Sequence, residues 1–218
     1  MVATAKAKAK RYAAKVTRAL QKDYPDATCA LTFGSPLQLL IATILSAQCT
    51  DKRVNQVTPD LFKKYNTADD FARVRQSTLE RAIKSTGFFR NKATNIRRCC
   101  KELVDRYDSE LPKDIDQLVK LPGIGRKTAN VVLGTAYGIP SGVVVDTHVT
   151  RISRRLGLTE NTDAVKIEQD LCEQLPRSQW IDFSHRVIHH GRQVCNARSP
   201  KCEQCSMETF CPRIGVDN

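Results

Sequence analysis

The segment from Leu121 to Gly138, which reads LPGIGRKTANVVLGTAYG, constrains the fold of this chain more than any other. Its proline and its two nearby glycines, Gly123 and Gly125, allow a tight hairpin whose backbone can approach a ligand closely. An amphipathic helix follows the hairpin, and the apolar residues of 115–119 indicate a short helix before it. The segment therefore predicts a helix-hairpin-helix motif or an ordinary corner between two helices.

Apolar residues recur at helical spacing through much of the chain, as in 37–45, 89–103 and 164–175. No sustained alternation of apolar and polar residues, which would indicate strands, occurs. The run from Val143 to Val145 has no evident partner strand, so we expect an extended connector buried by its three valines. The sequence predicts an all-α fold of about ten short helices.

The formal net charge is +12, from 35 Lys and Arg residues against 23 Asp and Glu residues. This imbalance favours a polyanionic partner, either nucleic acid or an anionic membrane surface, and nucleic acid is the commoner one. The most apolar run, 39–47, is too short to span a bilayer, and no secretory signal is visible. Residues 1–10 are basic and predict a disordered arm, a helix reaching about Leu20, or a transit peptide. Their Lys-rich composition disfavours the transit peptide.

Nine cysteines are present. A chain of this size does not need disulfides, so we expect a reducing compartment. Five cysteines occur in periodic segments and are predicted to be buried free thiols: Cys29, Cys49, Cys99, Cys100 and Cys172.

The other four cysteines form a C-x6-C-x2-C-x5-C pattern in a short basic loop: Cys195, Cys202, Cys205 and Cys211. Four thiolates this close in a reducing cell indicate a zinc ion or an iron–sulfur cluster. Zinc sites more often have two C-x2-C pairs, whereas this loop has one, so the spacing favours iron–sulfur. Arg198 and Lys201, between the first two cysteines, would extend toward phosphate groups.

The hairpin also suggests a ligand and a reaction. The N–H groups of 123–125 and the start of the next helix suit a phosphate oxygen. Arg126 and Lys127 occupy the first turn of that helix. Lys127 is either another phosphate contact or a nucleophile, because the helix dipole and Arg126 both oppose its protonated state and a neutral amine is nucleophilic.

Asp146 follows the valine connector and is the only carboxylate between Asp116 and Glu160. We expect it to be buried, as a helix N-cap, as a catalytic group beside Lys127, or as both. The helix that it begins should direct its apolar residues inward and its arginines largely outward. The inward residues are Val149, Ile152 and Leu156, and the arginines are Arg151, Arg154 and Arg155.

These motifs, in this order, resemble the endonuclease III family of base-excision repair glycosylases. LPGIGRKTANVVL, VVVDTHVTR, SAQCTD at 46–51 and the four-cysteine spacing all match, and the resemblance runs from about Pro36 to Cys211. It implies two helical domains with the active site in the cleft between them. One is a six-helix bundle at 30–139. The other joins 1–29 to 140–218 and carries a 4Fe-4S cluster on the four cysteines.

The resemblance also implies a reaction on double-stranded DNA containing damaged pyrimidines or abasic sites. Lys127 would attack the sugar C1′, the base would leave, and a Schiff base would lead to β-elimination, assisted by Asp146. Gln48 and Phe88 would fill the space of the extruded base. Gln48 could instead be a polar residue at a helix end, and Phe88 could be a core aromatic. The alternative for Phe88 is kept because an aliphatic residue is more usual at that position in the family. A monomer in the cytoplasm of a prokaryote, associated with the nucleoid, is expected.

Two other functions are compatible with parts of the sequence. The related adenine glycosylases share the hairpin, the aspartate and the cluster, but they lack a lysine at position 127, and most have an additional C-terminal domain. The ending at Asn218 and Lys127 itself both disfavour that subfamily. A non-catalytic DNA-binding module would use the hairpin and the basic loop, but it would not need a Lys–Asp pair.

Overall fold

The computed structural model describes residues 2–216, and within them the chain is helical with no β-strand. This confirms the predicted all-α fold. Three short 3₁₀ turns lie at Lys84–Thr86, Arg177–Gln179 and Cys202–Gln204. The α-helices are α1 Val2–Asp23, α2 Pro36–Ser46, α3 Asp51–Lys64, α4 Ala68–Arg73, α5 Gln76–Ile83, α6 Phe89–Arg106, α7 Ile115–Leu118, α8 Arg126–Tyr137, α9 Thr147–Arg155, α10 Ala164–Gln174 and α11 Trp180–Gln193. None of the helices in 2–216 is long and apolar enough to cross a membrane.

Short polar side chains fix where several helices begin. Ser35 caps α2 by accepting a hydrogen bond from the Gln38 N–H, and Pro36 is the first helical residue, as predicted. Thr67 and Asp70 form a capping box at the start of α4, each accepting a hydrogen bond from the other's N–H. Such caps satisfy N–H groups that have no partner inside the helix.

The segment Cys29–Ser141 forms one compact unit that contains α2 to α8. Its core is built from aliphatic side chains on these helices together with Phe71, which is fully buried. Cys99 and Cys100 lie in this core as free thiols, as predicted. Cys29 and Cys49 are only partly buried and lie in loops, so the expectation of buried thiols in periodic segments was wrong for them.

The second compact unit joins the chain up to Thr28 with the chain from Gly142 onward. Its core is formed mainly by residues of α1, α9, α10 and α11, together with Val143, Val145, Leu158 and Met207. Helix α1 is well anchored here: the Tyr12 hydroxyl donates to the Phe210 carbonyl at 3.4 Å, and the Ser206 hydroxyl donates to the Asp23 carboxylate. The N-terminal segment from residue 2 is therefore a helix that extends past Leu20, and not a disordered arm. Cys172 on α10 is partly buried instead of fully buried.

Two further predictions for the second unit need correction. The 143–145 run is an irregular connector, as expected, but only Val143 and Val145 are buried, and Val144 is half-exposed. Arg155 does not point outward: the residue is 8% exposed. Its guanidinium donates to the carbonyls of Asn196 at 2.7 Å and Ala197 at 2.8 Å, which compensates for its burial.

Candidate active site and cysteine loop

The predicted hairpin lies between α7 and α8, and two of its apolar residues pack into the core of the Cys29–Ser141 unit. Leu121 and Ile124 are buried, whereas Gly123 and Gly125 are exposed. Gly123 has a φ of 78°, and a Cβ atom there would lie 2.7 Å from the Cβ of Asn95 on α6. The hairpin therefore needs glycine at 123 both for its backbone conformation and for its close packing on α6.

Gly125 is the N-cap of α8 and has no side chain with which to cap the helix. Arg126 and Lys127 follow in the first turn, and both are exposed. A helix N-terminus with two exposed cations in its first turn is a favourable environment for a phosphate group. The structure thus gives Lys127 the accessible position that a nucleophile requires.

Asp146 caps α9. One of its carboxylate oxygens, Oδ1, accepts hydrogen bonds from the N–H groups of His148 at 2.8 Å and Val149 at 2.9 Å. The residue is half-buried, whereas the sequence predicts that it is buried. The predicted cap is confirmed, and the cap fixes the orientation of the carboxylate.

Gln48 and Phe88 both lie in short connections with positive φ, at 53° and 48°. Gln48 is exposed between α2 and α3. Phe88 precedes α6 and is 62% exposed, so its alternative assignment as a core aromatic was wrong. Both residues line one pocket together with Gly123 and Thr128. The structure therefore brings three of the predicted DNA-binding residues to one place.

The four cysteines of the loop line a single cavity in the second unit, and all four are free and partly buried. Burial raises the pKa of the Cys205 and Cys211 thiols. Arg155 Nη1 lies 3.3 Å from the sulfur of Cys195, which adds a charged donor next to the cavity. Within 2–216, no group of three or more His, Cys, Asp or Glu side chains already has a metal-binding arrangement.

Arg198 and Lys201 are exposed on the cysteine loop and line an adjacent pocket. Arg213 also lines this pocket, and it pairs with Glu208 at 2.8 Å. The loop therefore presents its two predicted phosphate contacts on the outside and its cysteines on the inside.

Two important residues were missed by sequence reasoning. Arg155 was assigned to the surface because it is charged. Lys92 on α6 was not considered, although it is buried, and its Nζ donates to the carbonyls of Leu45 and Thr86. The available signal was its position: Lys92 falls within the apolar stripe of α6, three residues after Phe89 and four before Ile96.

A hairpin between two helices, followed by an aspartate-capped helix, places the chain in a known class of repair proteins. The sequence model of the HhH-GPD superfamily base excision DNA repair protein matches residues 41–177. Endonuclease III of Synechocystis sp. is 52% identical over 203 residues, which are 93% of each chain. Endonuclease III of Bacillus subtilis is 46% identical over 189 residues, which are 86% of each chain.

A solved structure of a trapped endonuclease III–DNA covalent intermediate matches with a TM-score of 0.89 and 44% identity. The match covers 94% of this chain and 96% of that one. The chain therefore belongs to the endonuclease III family of the HhH-GPD superfamily, and it is a DNA glycosylase and abasic-site lyase of base-excision repair.

Proposed function

We propose that this enzyme removes oxidised pyrimidines from double-stranded DNA, with Lys127 as the nucleophile. The observation that carries this proposal is the exposed lysine in the first turn of α8, directly after a hairpin suited to holding a DNA phosphate. The hairpin would hold the DNA strand by its phosphate, and the strand held in this way would present a sugar carbon to Lys127. The amine must be neutral when it attacks the sugar carbon.

The proposed reaction has two stages. Lys127 Nζ forms a bond to the sugar C1′, the bond between C1′ and the base breaks, and the base leaves with the bonding electrons and a proton. The C1′–O4′ bond of the sugar ring then breaks, O4′ takes up a proton, and the C1′–N bond becomes the double bond of a Schiff base. This Schiff base makes the C2′ proton acidic. Loss of that proton is followed by cleavage of the C3′–O bond, so the strand breaks on the 3′ side and water then releases the enzyme. Asp146 assists the proton transfers and stabilises the positive charge that develops.

The remaining predicted contacts serve DNA binding. Gly123, Gly125 and Arg126 hold the phosphate backbone, which positions the enzyme without reading the sequence. The damaged nucleotide must leave the stack before it can react, and Gln48 and Phe88 fill the space that it vacates. The exposure of both side chains on one pocket supports this role. Arg198 and Lys201 add phosphate contacts from the cysteine loop.

We further propose that Cys195, Cys202, Cys205 and Cys211 hold a 4Fe-4S cluster. Four free thiols that line one cavity are a donor set that fits such a cluster. When bound, the cluster supplies iron–thiolate bonds that cross-link the loop carrying Arg198 and Lys201.

We also propose that the two compact units correspond to the two domains of the family. The enzyme acts as a monomer in the cytoplasm of a bacterium, where it is associated with the nucleoid.

Borohydride trapping on abasic-site DNA tests the nucleophile, because borohydride reduces a Schiff base to a stable covalent link. We expect the wild-type protein to be trapped and Lys127→Ala not to be. Lys120→Ala, which removes another exposed lysine near the hairpin, is the matched control and should be trapped like the wild type. Trapping of Lys127→Ala would reject this nucleophile, and no trapping of the wild type would indicate a monofunctional glycosylase or a passive binding module.

A further inference from the structure

Lys92 lies in the first turn of α6 and is a buried cation that the proposed reaction does not use. The residue is 4% exposed. Its Nζ donates to the Leu45 carbonyl at 2.8 Å and to the Thr86 carbonyl at 2.7 Å. Both acceptors are main-chain groups from other segments of the same compact unit. One ammonium group therefore joins the end of α2 to the turn that precedes α6.

These two segments are the ones that carry Gln48 and Phe88. Leu45 precedes Gln48 by three residues, and Thr86 precedes Phe88 by two. Gln48 and Phe88 each have a positive φ, which costs free energy for a residue other than glycine. Such conformations persist only when the surrounding structure holds them in place. The two hydrogen bonds of Lys92 act on the chain just before each of these strained residues.

Packing alone does not explain a lysine at this position. Removing an ammonium group from water is expensive, and desolvation lowers the pKa of Lys92. A methionine of similar length would fill the same volume without that cost. What the methionine could not do is donate two hydrogen bonds to two carbonyls at once. The charge also lies near the C-terminal end of α2, where the helix dipole favours a cation.

The same face of α6 reaches the hairpin. Phe88, Lys92 and Asn95 are spaced so that they follow one side of the helix, and all three line the pocket of about 260 Å³ that also contains Gln48 and Gly123. Asn95 packs directly against Gly123. Helix α6 therefore sets the position of both strained segments relative to the turn that would hold the DNA backbone.

We propose that Lys92 is a positioning residue that holds Gln48 and Phe88 in the geometry required to replace an extruded base. The inference rests on the proposed function, because it concerns the same DNA site. This role predicts that loss of Lys92 affects one step of the reaction more than the other. Removal of Lys92 should impair excision of a base that must first be extruded from the duplex. Cleavage at a preformed abasic site, where no base has to be unstacked, should be affected much less.

The test compares two single-turnover rate constants for Lys92→Met. One is for release of an oxidised pyrimidine from a duplex, and the other is for strand cleavage at a preformed abasic site. We expect the ratio of the first to the second to fall by roughly tenfold or more relative to the wild type. Borohydride trapping on abasic-site DNA should persist. Lys101→Met is the matched control, because Lys101 is an exposed α6 lysine paired with Asp105, and it should leave the ratio unchanged.

A merely structural role predicts a different result. If both rate constants of Lys92→Met fall equally, or if neither changes, the inference is wrong. In a background of Gln48→Ala with Phe88→Ala, the selective effect of Lys92→Met should disappear, and a full effect there would also contradict it.

If Lys92→Met does not unfold cooperatively, Lys92→Arg decides the question. The longer planar guanidinium cannot occupy the ammonium position without displacing a carbonyl. A reduced ratio in that variant supports the inference, and an unchanged ratio rejects it. Absence of trapping in the wild type would instead reject the proposed function itself.

Discussion

Gly123 shows how a single residue can set the geometry of a site. Its positive φ suits glycine, and the side chain of Asn95 occupies the space where a Cβ would be. Gly125, two residues later, has a φ of −89°, and a Cβ added there would extend into open space. The two glycines therefore differ in what a methyl group would cost, although both belong to the same hairpin.

We predict that Gly123→Ala destabilises the protein by at least about 1 kcal/mol, from backbone strain and the contact with Asn95. Gly125→Ala, the matched control, should cost about 0.5–1 kcal/mol, because it loses the N-cap preference for glycine over alanine but adds neither a strained φ nor a close contact. Urea denaturation measures both. Equal free energies of unfolding for the two variants would contradict this account of the hairpin.

Asp146 has a structural role that can be separated from its chemical one. Asparagine caps helices about as well as aspartate, so Asp146→Asn should keep α9 intact and keep affinity for abasic-site DNA. We expect strand cleavage to slow by on the order of tenfold or more, because the carboxylate charge is lost. Thermal unfolding checks the stability, a binding assay checks the affinity for abasic-site DNA, and single-turnover kinetics give the rate of strand cleavage. Wild-type turnover by this variant would reduce Asp146 to a helix cap.

At the scale of the helices, local sequence signals predicted the elements well. The start of α2 at Ser35–Pro36 and the start of α9 at Asp146 follow from capping chemistry that acts within a few residues. The glycine hairpin between α7 and α8 was predictable for the same reason. The four cysteines were identified by spacing, since they lie within one short loop.

Long-range partners were not predictable. Arg155 was assigned to solvent because a charge on a helix is usually exposed, but its acceptors at Asn196 and Ala197 lie about forty residues further along the chain. Lys92 was missed because its partners, Leu45 and Thr86, are main-chain carbonyls that any residue could supply. For Phe88, sequence alone does not separate a DNA contact from a core aromatic, since aromatic residues are common both in cores and on binding surfaces.

The cysteine loop is an element whose contribution to binding can be tested by salt dependence. Charge reversal at Arg198 and Lys201 should weaken binding to all DNA sequences and flatten the dependence of affinity on salt concentration, by about one unit of slope per lost phosphate contact. Reversal at Lys101 and Arg106, which pair with Asp105 and Glu102 on α6, gives the same change in net charge as a control. If the salt dependence of affinity is unchanged in the loop variant, the loop does not contact DNA phosphates.

At the scale of the whole molecule, the described residues form two hydrophobic cores. The core of the Cys29–Ser141 unit contains only residues from within that segment. The core of the other unit combines α1 with helices that follow residue 142. A fragment with its own continuous core contains the contacts that it needs for cooperative folding.

We therefore predict that residues 29–141 expressed alone are helical and unfold cooperatively. Far-UV circular dichroism and urea denaturation measure this. A fragment made of 142–218 alone should be much less stable, because it lacks α1, whose Ala13, Val16 and Leu20 are fully buried. A non-cooperative transition for 29–141 would show that its core depends on the rest of the chain.

The interrupted second unit also has a consequence for biosynthesis. Helix α1 leaves the ribosome before the helices that bury it, which are translated only after residue 142. The intervening segment can fold while α1 waits with its apolar face uncovered. The many lysines and arginines on the other face of α1 would keep that waiting segment dispersed in water. The charge of α1 should therefore favour its solubility during translation, before its partner helices are made.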